Sequence, residues 1–165
     1  MASTYSFDVV SDFDRQELNN VVDQLKREVN QRYDLKDSNT IITIEENQLI
    51  ITTSTDMTLK SIQDALRQKA TKRNLSLKIF DFQKIETIGG NLVMQIVKLR
   101  KGLSQEISKK LSKLVRDNMK KVTVSIQGDS LRVSGKNKDD LQTAINLIKK
   151  QEEDLEIALQ FQNFR

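Results

Sequence analysis

The 165-residue sequence contains no cysteine and no histidine. Without cysteine there is no disulfide and no thiolate nucleophile, and without histidine there is neither an imidazole base nor the usual zinc ligand set. Proline is also absent, so glycine and polar turns must mark the ends of the secondary-structure elements. These absences exclude much enzyme chemistry, and we expect a non-enzymatic protein without a cofactor or a metal.

Long apolar runs are missing as well. The longest, such as residues 49–51, are far shorter than the roughly 18 residues that cross a bilayer. The first residues also lack the basic stretch and the apolar core of a secretory signal. We therefore expect a soluble, cytoplasmic protein with no membrane partner.

Positive charge, in contrast, is concentrated in one region. Residues 93–150 hold 14 of the 27 Lys and Arg residues but only 5 of the 23 Asp and Glu residues, a net charge of +9 in a chain of net charge +4. A concentration of this kind is typical of a protein that meets a polyanion.

The spacing of apolar residues predicts the element order βαββαβ twice, on either side of Gly89 and Gly90. In the first half we predict strands at 5–10, 41–45, 49–53 and 76–81 and helices at 14–32 and 56–72. In the second half we predict strands at 92–99, 121–126, 130–135 and 156–161 and helices at 104–118 and 139–151.

The two halves also match in register. A shift of 82 residues superposes Ile42 on Val124, Ile44 on Ile126, Leu49 on Leu131, Ile51 on Val133, Leu59 on Leu141 and Leu66 on Ile148. A duplication explains this agreement. We predict an α+β protein of two tandem ferredoxin-like βαββαβ units, each an antiparallel sheet with helices on one face. The expected boundaries are 1–90 for the first unit and 91–165 for the second, basic unit.

The helix at 104–118 places Lys109, Lys113 and Arg116 in a stripe away from its apolar face, with Lys110 beside them. Such a row can neutralise successive phosphates, although an ordinary solvated helix face is the alternative. At 132–140 a strand is followed by Gly135, Lys136 and a helix N-terminus, where free backbone N–H groups can hold an anion. Glycine spacing there does not fit a Walker A loop. Asp139 and Asp140 are expected to cap the helix and complement its dipole rather than act as acid or base groups.

Aromatic residues do not follow the RNA recognition motif. The strands at 92–99 and 130–135 contain no Phe, Tyr or Trp on which bases could stack. We expect Tyr5, Phe7, Phe161 and Phe164 to be core or packing residues. Binding should therefore be led by charge.

Several stretches resemble the YajQ family of bacterial nucleotide-binding proteins: SFDVVS at 6–11, RYDLK at 32–36, KVTVSIQGD at 121–129, RVSGKNKDDLQ at 132–142 and LQFQNFR at 159–165. The resemblance implies two ferredoxin-like domains that exchange their N-terminal strands, so that the strand at Tyr5 joins the second sheet and the strand at Leu92 joins the first. It also implies binding of nucleotides or RNA, with a cyclic dinucleotide as the ligand of some members.

We therefore expect a nucleotide- or RNA-binding protein, with tRNA or a cyclic dinucleotide among the candidate ligands. The alternative is a protein-interaction adaptor, or a cyclic-dinucleotide effector, that acts on a regulatory partner. The expected phosphate-contacting residues are Arg100, Lys101, Lys109, Lys110, Lys113, Arg116, Lys121, Arg132, Lys136 and Lys138.

Overall fold

The computed structural model describes residues 4–165, and these form two compact units. The continuous unit comprises residues 13–100. The discontinuous unit comprises residues 4–12 together with residues 101–165. Each unit has a net charge of +2, because the acidic residues near both chain ends balance the lysines of the discontinuous unit. Positive charge is therefore a local feature of particular surfaces and does not distinguish one unit from the other.

Helices and strands of the continuous unit follow the predicted order. They are α1 (Arg15–Gln31), β2 (Ile41–Ile44), β3 (Gln48–Thr53), α2 (Asp56–Lys72), β4 (Phe80–Phe82), β5 (Glu86–Ile88) and β6 (Leu92–Leu99). The sheet has the strand order β2-β3-β6-β4, and β5 also pairs with β6. Asp14 and Thr55 begin the two helices by accepting backbone N–H groups of the first turn.

The discontinuous unit contains β1 (Tyr5–Val10), α3 (Gln105–Asn118), β7 (Val122–Gln127), β8 (Ser130–Gly135), α4 (Lys138–Lys149), α5 (Glu152–Leu155) and β9 (Gln160–Gln162). Its sheet has the order β7-β8-β1-β9, and all pairs are antiparallel. α3 and α4 cover one face of the sheet, around a core that includes Phe7, Leu111, Leu131, Val133 and Ile148.

The first strand of each sequence half lies in the sheet of the other half. β1 pairs with β8 and β9, and β6 pairs with β3 and β4. In both sheets the exchanged strand lies in the interior, between the third and the fourth strand of the half that it joins, as the first strand does in a ferredoxin-like sheet. The predicted fold class is confirmed, and the exchange that the resemblance implied is present.

The register of the duplication is also visible in the core. Leu49 and Leu131 are fully buried, and so are Ile51 and Val133. The pair Ile44 and Ile126 departs from this pattern, because Ile126 is 46% exposed near the β7–β8 turn. Apolar matching therefore identified the buried strand centres better than the strand ends.

Three short segments differ from the sequence-based prediction. Residues 76–81 begin as a 3₁₀ helix (Leu77–Ile79), because the Ser76 hydroxyl accepts the N–H of Lys78 at 3.2 Å and tightens the turn. The last strand begins at Gln160 and not at residue 156, since α5 ends at Leu155 and the next residue, Glu156, is left-handed with φ 51°. β5 was not predicted.

None of the helices within residues 4–165 has the length and hydropathy that a transmembrane helix requires.

Candidate anion-binding site

A cavity of about 610 Å³ lies in the discontinuous unit, at one edge of its sheet. β1 and β7 begin at this edge and β8 ends there, because the Cα register places Tyr5 and Val122 opposite Gly135. α4 starts immediately beyond. The volume is within the roughly 300–1,000 Å³ typical of ligand sites. The lining residues are Thr4, Lys121, Thr123, Ser134, Gly135, Lys136, Asn137 and Asp140.

Two lysines supply the positive charge of the cavity. Lys121 immediately precedes β7 and Lys136 immediately follows β8, so antiparallel pairing of these strands brings both residues to the same edge. Both are exposed. Neither forms an ion pair with any other residue in the range 4–165. Their ammonium groups are therefore available to an anion that enters the cavity.

The N-terminus of α4 borders the same cavity through Asn137 and Asp140. Asn137 is the capping residue, and its side-chain oxygen accepts the N–H of Asp139 at 2.8 Å. Asp139 and Asp140 lie inside the first turn, so the expectation that they cap the helix is wrong, whereas the expectation that they complement its dipole is confirmed. Since Asp140 also lines the cavity, an anion must bind on the side of the lysines.

Hydroxyl groups complete the lining. The sheet face opposite the helices is polar, because Phe7, Leu131 and Val133 point into the core and alternate residues point the other way. Thr123 and Ser134 are paired neighbours on this polar face, and both line the cavity. Thr4 lies just before β1. The cavity therefore combines two ammonium groups, three hydroxyls, a helix N-terminus and one carboxylate.

Arg132 lies on the same polar face but is held by a buried carboxylate. Its Nε and Nη2 donate to the two oxygens of Asp8 at 2.9 and 3.4 Å, and the Asn163 amide donates to Asp8 at 2.8 Å. The hydrogen bonds from Arg132 first, and then from Asn163, hold the pKa of Asp8 below its usual value. Asp8 in turn raises the pKa of Arg132. Asp8 is only 7% exposed, so this pair fastens β1 to β8 and to the C-terminal segment.

The stripe on α3 is present as predicted. Lys109, Lys113 and Arg116 are exposed on the helix, and within residues 4–165 none of the three forms an ion pair. Lys110 lies 3.4 Å from Glu106, one turn earlier. These four residues do not line the cavity, so α3 presents a separate cationic surface.

The remaining expected residues lie elsewhere. Lys138 places its Nζ 5.1 Å from the centre of the Tyr5 ring and does not line the cavity. Arg100 belongs to the continuous unit and lies 3.3 Å from Asp81. Lys101 Nζ is 3.7 Å from Asp12. Of the ten expected phosphate contacts, the cavity gathers Lys121 and Lys136.

The junction at 132–140, which the sequence predicted as an anion site, contains the neutral cavity residues Ser134, Gly135 and Asn137, but Thr4 and Thr123 were not selected. Thr123 could have been recognised, because it alternates with buried residues of its strand and lies two residues from Lys121. Thr4 has no such signal, since its place depends on the pairing of β1 with β8, a contact between distant parts of the chain.

Fold and cavity together define an α+β protein of two ferredoxin-like sheets, with a cationic, hydroxyl-rich cavity at the edge of one of them. Within residues 4–165, no acidic cluster is arranged to hold a metal ion.

The chain belongs to the family described as "Nucleotide-binding protein YajQ-like", whose model matches residues 5–165. It is 79% identical to a protein of Prochlorococcus marinus (strain NATL1A) and 70% identical to one of Synechococcus sp. (strain CC9605). A protein of Synechococcus sp. (strain JA-3-3Ab) is 61% identical. Each alignment covers 100% of both chains, and each of these relatives is named a nucleotide-binding protein. The names describe binding and not catalysis.

Proposed function

We propose that this protein binds nucleotides, and that Lys121 and Lys136 contact the phosphate group. The observation that carries the proposal is that these two unpaired ammonium groups line one cavity together with the N-terminus of α4. A helix N-terminus and lysine ammonium groups both favour an anion, and their effects add when they converge. The names of the relatives support the same ligand class.

The rest of the lining favours a nucleotide over an inorganic anion. A cavity of about 610 Å³ is far larger than one phosphate requires. Asp140 would repel a second negative group, but its carboxylate can accept a hydrogen bond from a ribose hydroxyl. Thr4, Thr123 and Ser134 offer further hydroxyl partners. The arrangement suits a ligand with phosphate at one end and neutral hydrogen-bonding groups beyond it. We propose a binding role for this cavity and no catalytic role.

Replacing both cavity lysines, Lys121→Gln with Lys136→Gln, should weaken the binding of AMP or GMP by about tenfold or more for each lysine lost. A charge-assisted hydrogen bond is worth about 1.5–3 kcal/mol, and 1.4 kcal/mol corresponds to tenfold in affinity. Titration calorimetry at low salt measures the change. The matched control is Lys149→Gln with Lys150→Gln, which removes the same charge from the other end of α4.

The control should bind AMP and GMP like the natural sequence, because its two lysines lie about 17 Å along the helix from Lys138. Equal losses in both double variants would mean that only overall charge matters, and would refute the cavity as the phosphate site.

RNA is a second candidate ligand, favoured by the exposed and unpaired stripe of Lys109, Lys113 and Arg116 on α3. A row of cations binds successive phosphates by releasing counterions, and such binding weakens steeply as salt rises. Reversing the charge of all three residues to Glu should weaken the binding of a tRNA probe by at least tenfold at 50 mM salt. Filter binding at several salt concentrations measures both affinity and slope. An unchanged slope would exclude α3 as the RNA-binding surface.

A further inference from the structure

A second depression of about 220 Å³ lies beside the cavity in the discontinuous unit. Its lining includes two aromatic residues, Tyr5 and Phe164, and two aliphatic residues of α4, Leu141 and Ile145. The polar residues of its lining are Ser6, Lys138, Gln142 and Arg165. Its volume is below the roughly 300–1,000 Å³ that is typical of sites for whole drug-sized ligands. A depression of this volume suits a single planar ring system.

Phe164 is held in place although it is 63% exposed. Its ring lies 5.9 Å from the buried ring of Phe7, at an interplanar angle of 32°. The neighbouring backbone is fixed on β1, because Ser6 N–H donates to the Arg165 oxygen at 3.2 Å and Arg165 N–H donates to the Ser6 oxygen at 3.0 Å. A surface aromatic ring with a fixed position can receive another ring at little entropic cost.

Tyr5 forms the other aromatic wall. It packs against the core of the unit, and Lys138 lies over its ring at 5.1 Å. Tyr5 and Phe164 pack as expected, and both also line this depression. Neither residue lies in the strands 92–99 and 130–135, where the sequence offers no aromatic side chain for stacking.

The linings of the two depressions are neighbours along the chain. At three places in the chain one residue lines the cavity and the next residue lines the depression: Thr4 and Tyr5, Asn137 and Lys138, Asp140 and Leu141. Adjacent Cα atoms are 3.8 Å apart, so the cationic cavity and the aromatic depression lie side by side at these three places. A ligand with a phosphate at Lys121 and Lys136 can therefore extend into the space between Tyr5 and Phe164.

We propose that the depression between Tyr5 and Phe164 is a nucleobase subsite, in which the base of a bound nucleotide stacks on aromatic surface. Every base has a π-face, so aromatic side chains bind bases with little sequence preference. Gln142 and Arg165 supply an amide and a guanidinium of the kind that hydrogen-bond to base edges. This inference rests on the proposed nucleotide function and adds that the site distinguishes nucleotides from other phosphate esters.

The test compares ribose 5-phosphate with AMP, GMP, CMP and UMP as calorimetric ligands. The natural sequence should bind at least one mononucleotide about tenfold more tightly than ribose 5-phosphate. Phe164→Ala should abolish that preference and leave the affinity for ribose 5-phosphate unchanged, whereas Phe164→Tyr, which keeps the ring, should retain it. Melting temperatures of both variants verify that the fold is intact, as expected for a side chain this exposed.

Each outcome has a distinct meaning. If ribose 5-phosphate binds as tightly as every mononucleotide, or if Phe164→Ala weakens all ligands equally, the base subsite is refuted while phosphate binding at Lys121 and Lys136 stands. If no ligand binds the natural sequence, the proposed nucleotide function fails, and the subsite fails with it.

Discussion

A fragment of residues 13–100 should fold cooperatively by itself, whereas a fragment of residues 1–90 should remain largely unfolded. The first fragment contains α1, α2 and every strand of the sheet β2-β3-β6-β4. The second lacks β6, although it ends at the glycine pair where the two sequence halves divide. Far-UV circular dichroism and urea unfolding of the two fragments, which have nearly equal lengths, measure the difference.

The expected loss is large because β6 is an interior strand. It pairs with β3 over six residues, from Gln48 to Thr53, and it is also the partner of β4 and β5. Without it, only the β2–β3 pair remains, and an isolated two-stranded hairpin is marginal in water. Val97, which is fully buried, would also be missing from the core.

Mixing fragments 1–90 and 91–165 provides the matching control, because together they contain every strand of both sheets. Neither should show a cooperative transition alone, and structure should reappear when they are combined. Cooperative unfolding of fragment 1–90 alone, with native helix content, would mean that β6 is dispensable and would contradict the importance of the strand exchange.

The sequence predicts which segments are strands better than it predicts their partners. In β1, Phe7 and Val9 alternate with Ser6 and Asp8, a period of two that any half-buried strand shows. The same pattern would place β1 in either sheet, since both sheets offer an interior position beside an antiparallel neighbour. The exchange therefore required the family resemblance, and periodicity alone could not show it.

Short elements were harder to predict because local hydrogen bonds decide them. Residues 76–79 form a tight turn because the Ser76 hydroxyl accepts the N–H of Lys78. Residues 152–155 form one helical turn that is followed by a left-handed residue, Glu156. Neither segment has the length over which an apolar period becomes visible. β5 has only three residues and depends on β6 for its pairing.

The site could be predicted from charge only in part. Lys121 and Lys136 were selected because they flank strands in a basic region, and the structure places both in the lining of one cavity. Arg132 carries the same charge but pairs with Asp8, 124 residues away in the sequence. Phe164 looked like a packing residue because the sequence does not show how the C-terminal segment binds to β1. Contacts between distant segments account for each of these differences.

Phe7→Ala should lower the free energy of unfolding of the discontinuous unit by about 3–5 kcal/mol, the usual cost of removing a buried Phe side chain. Phe7 is fully buried at the centre of β1, and the rings of Phe161 and Phe164 each lie 5.9 Å from it. The loss is a large part of the roughly 5–15 kcal/mol that stabilises a typical domain. Urea unfolding measures the total. Tyr33→Ala is the control, since Tyr33 is 89% exposed and its loss should cost less than about 0.5 kcal/mol.

Amide hydrogen exchange then shows where the destabilisation acts. Because β1 lies between β8 and β9, Phe7→Ala should speed exchange at Leu131 and Val133 in β8. Leu49 and Ile51 in β3 should keep their protection, since β3 pairs with β6, and not with β1, in the sheet of the continuous unit. Faster exchange in β3 with unchanged exchange in β8 would contradict the pairing of β1, because an N-terminal strand in its own half's sheet would be the neighbour of β3.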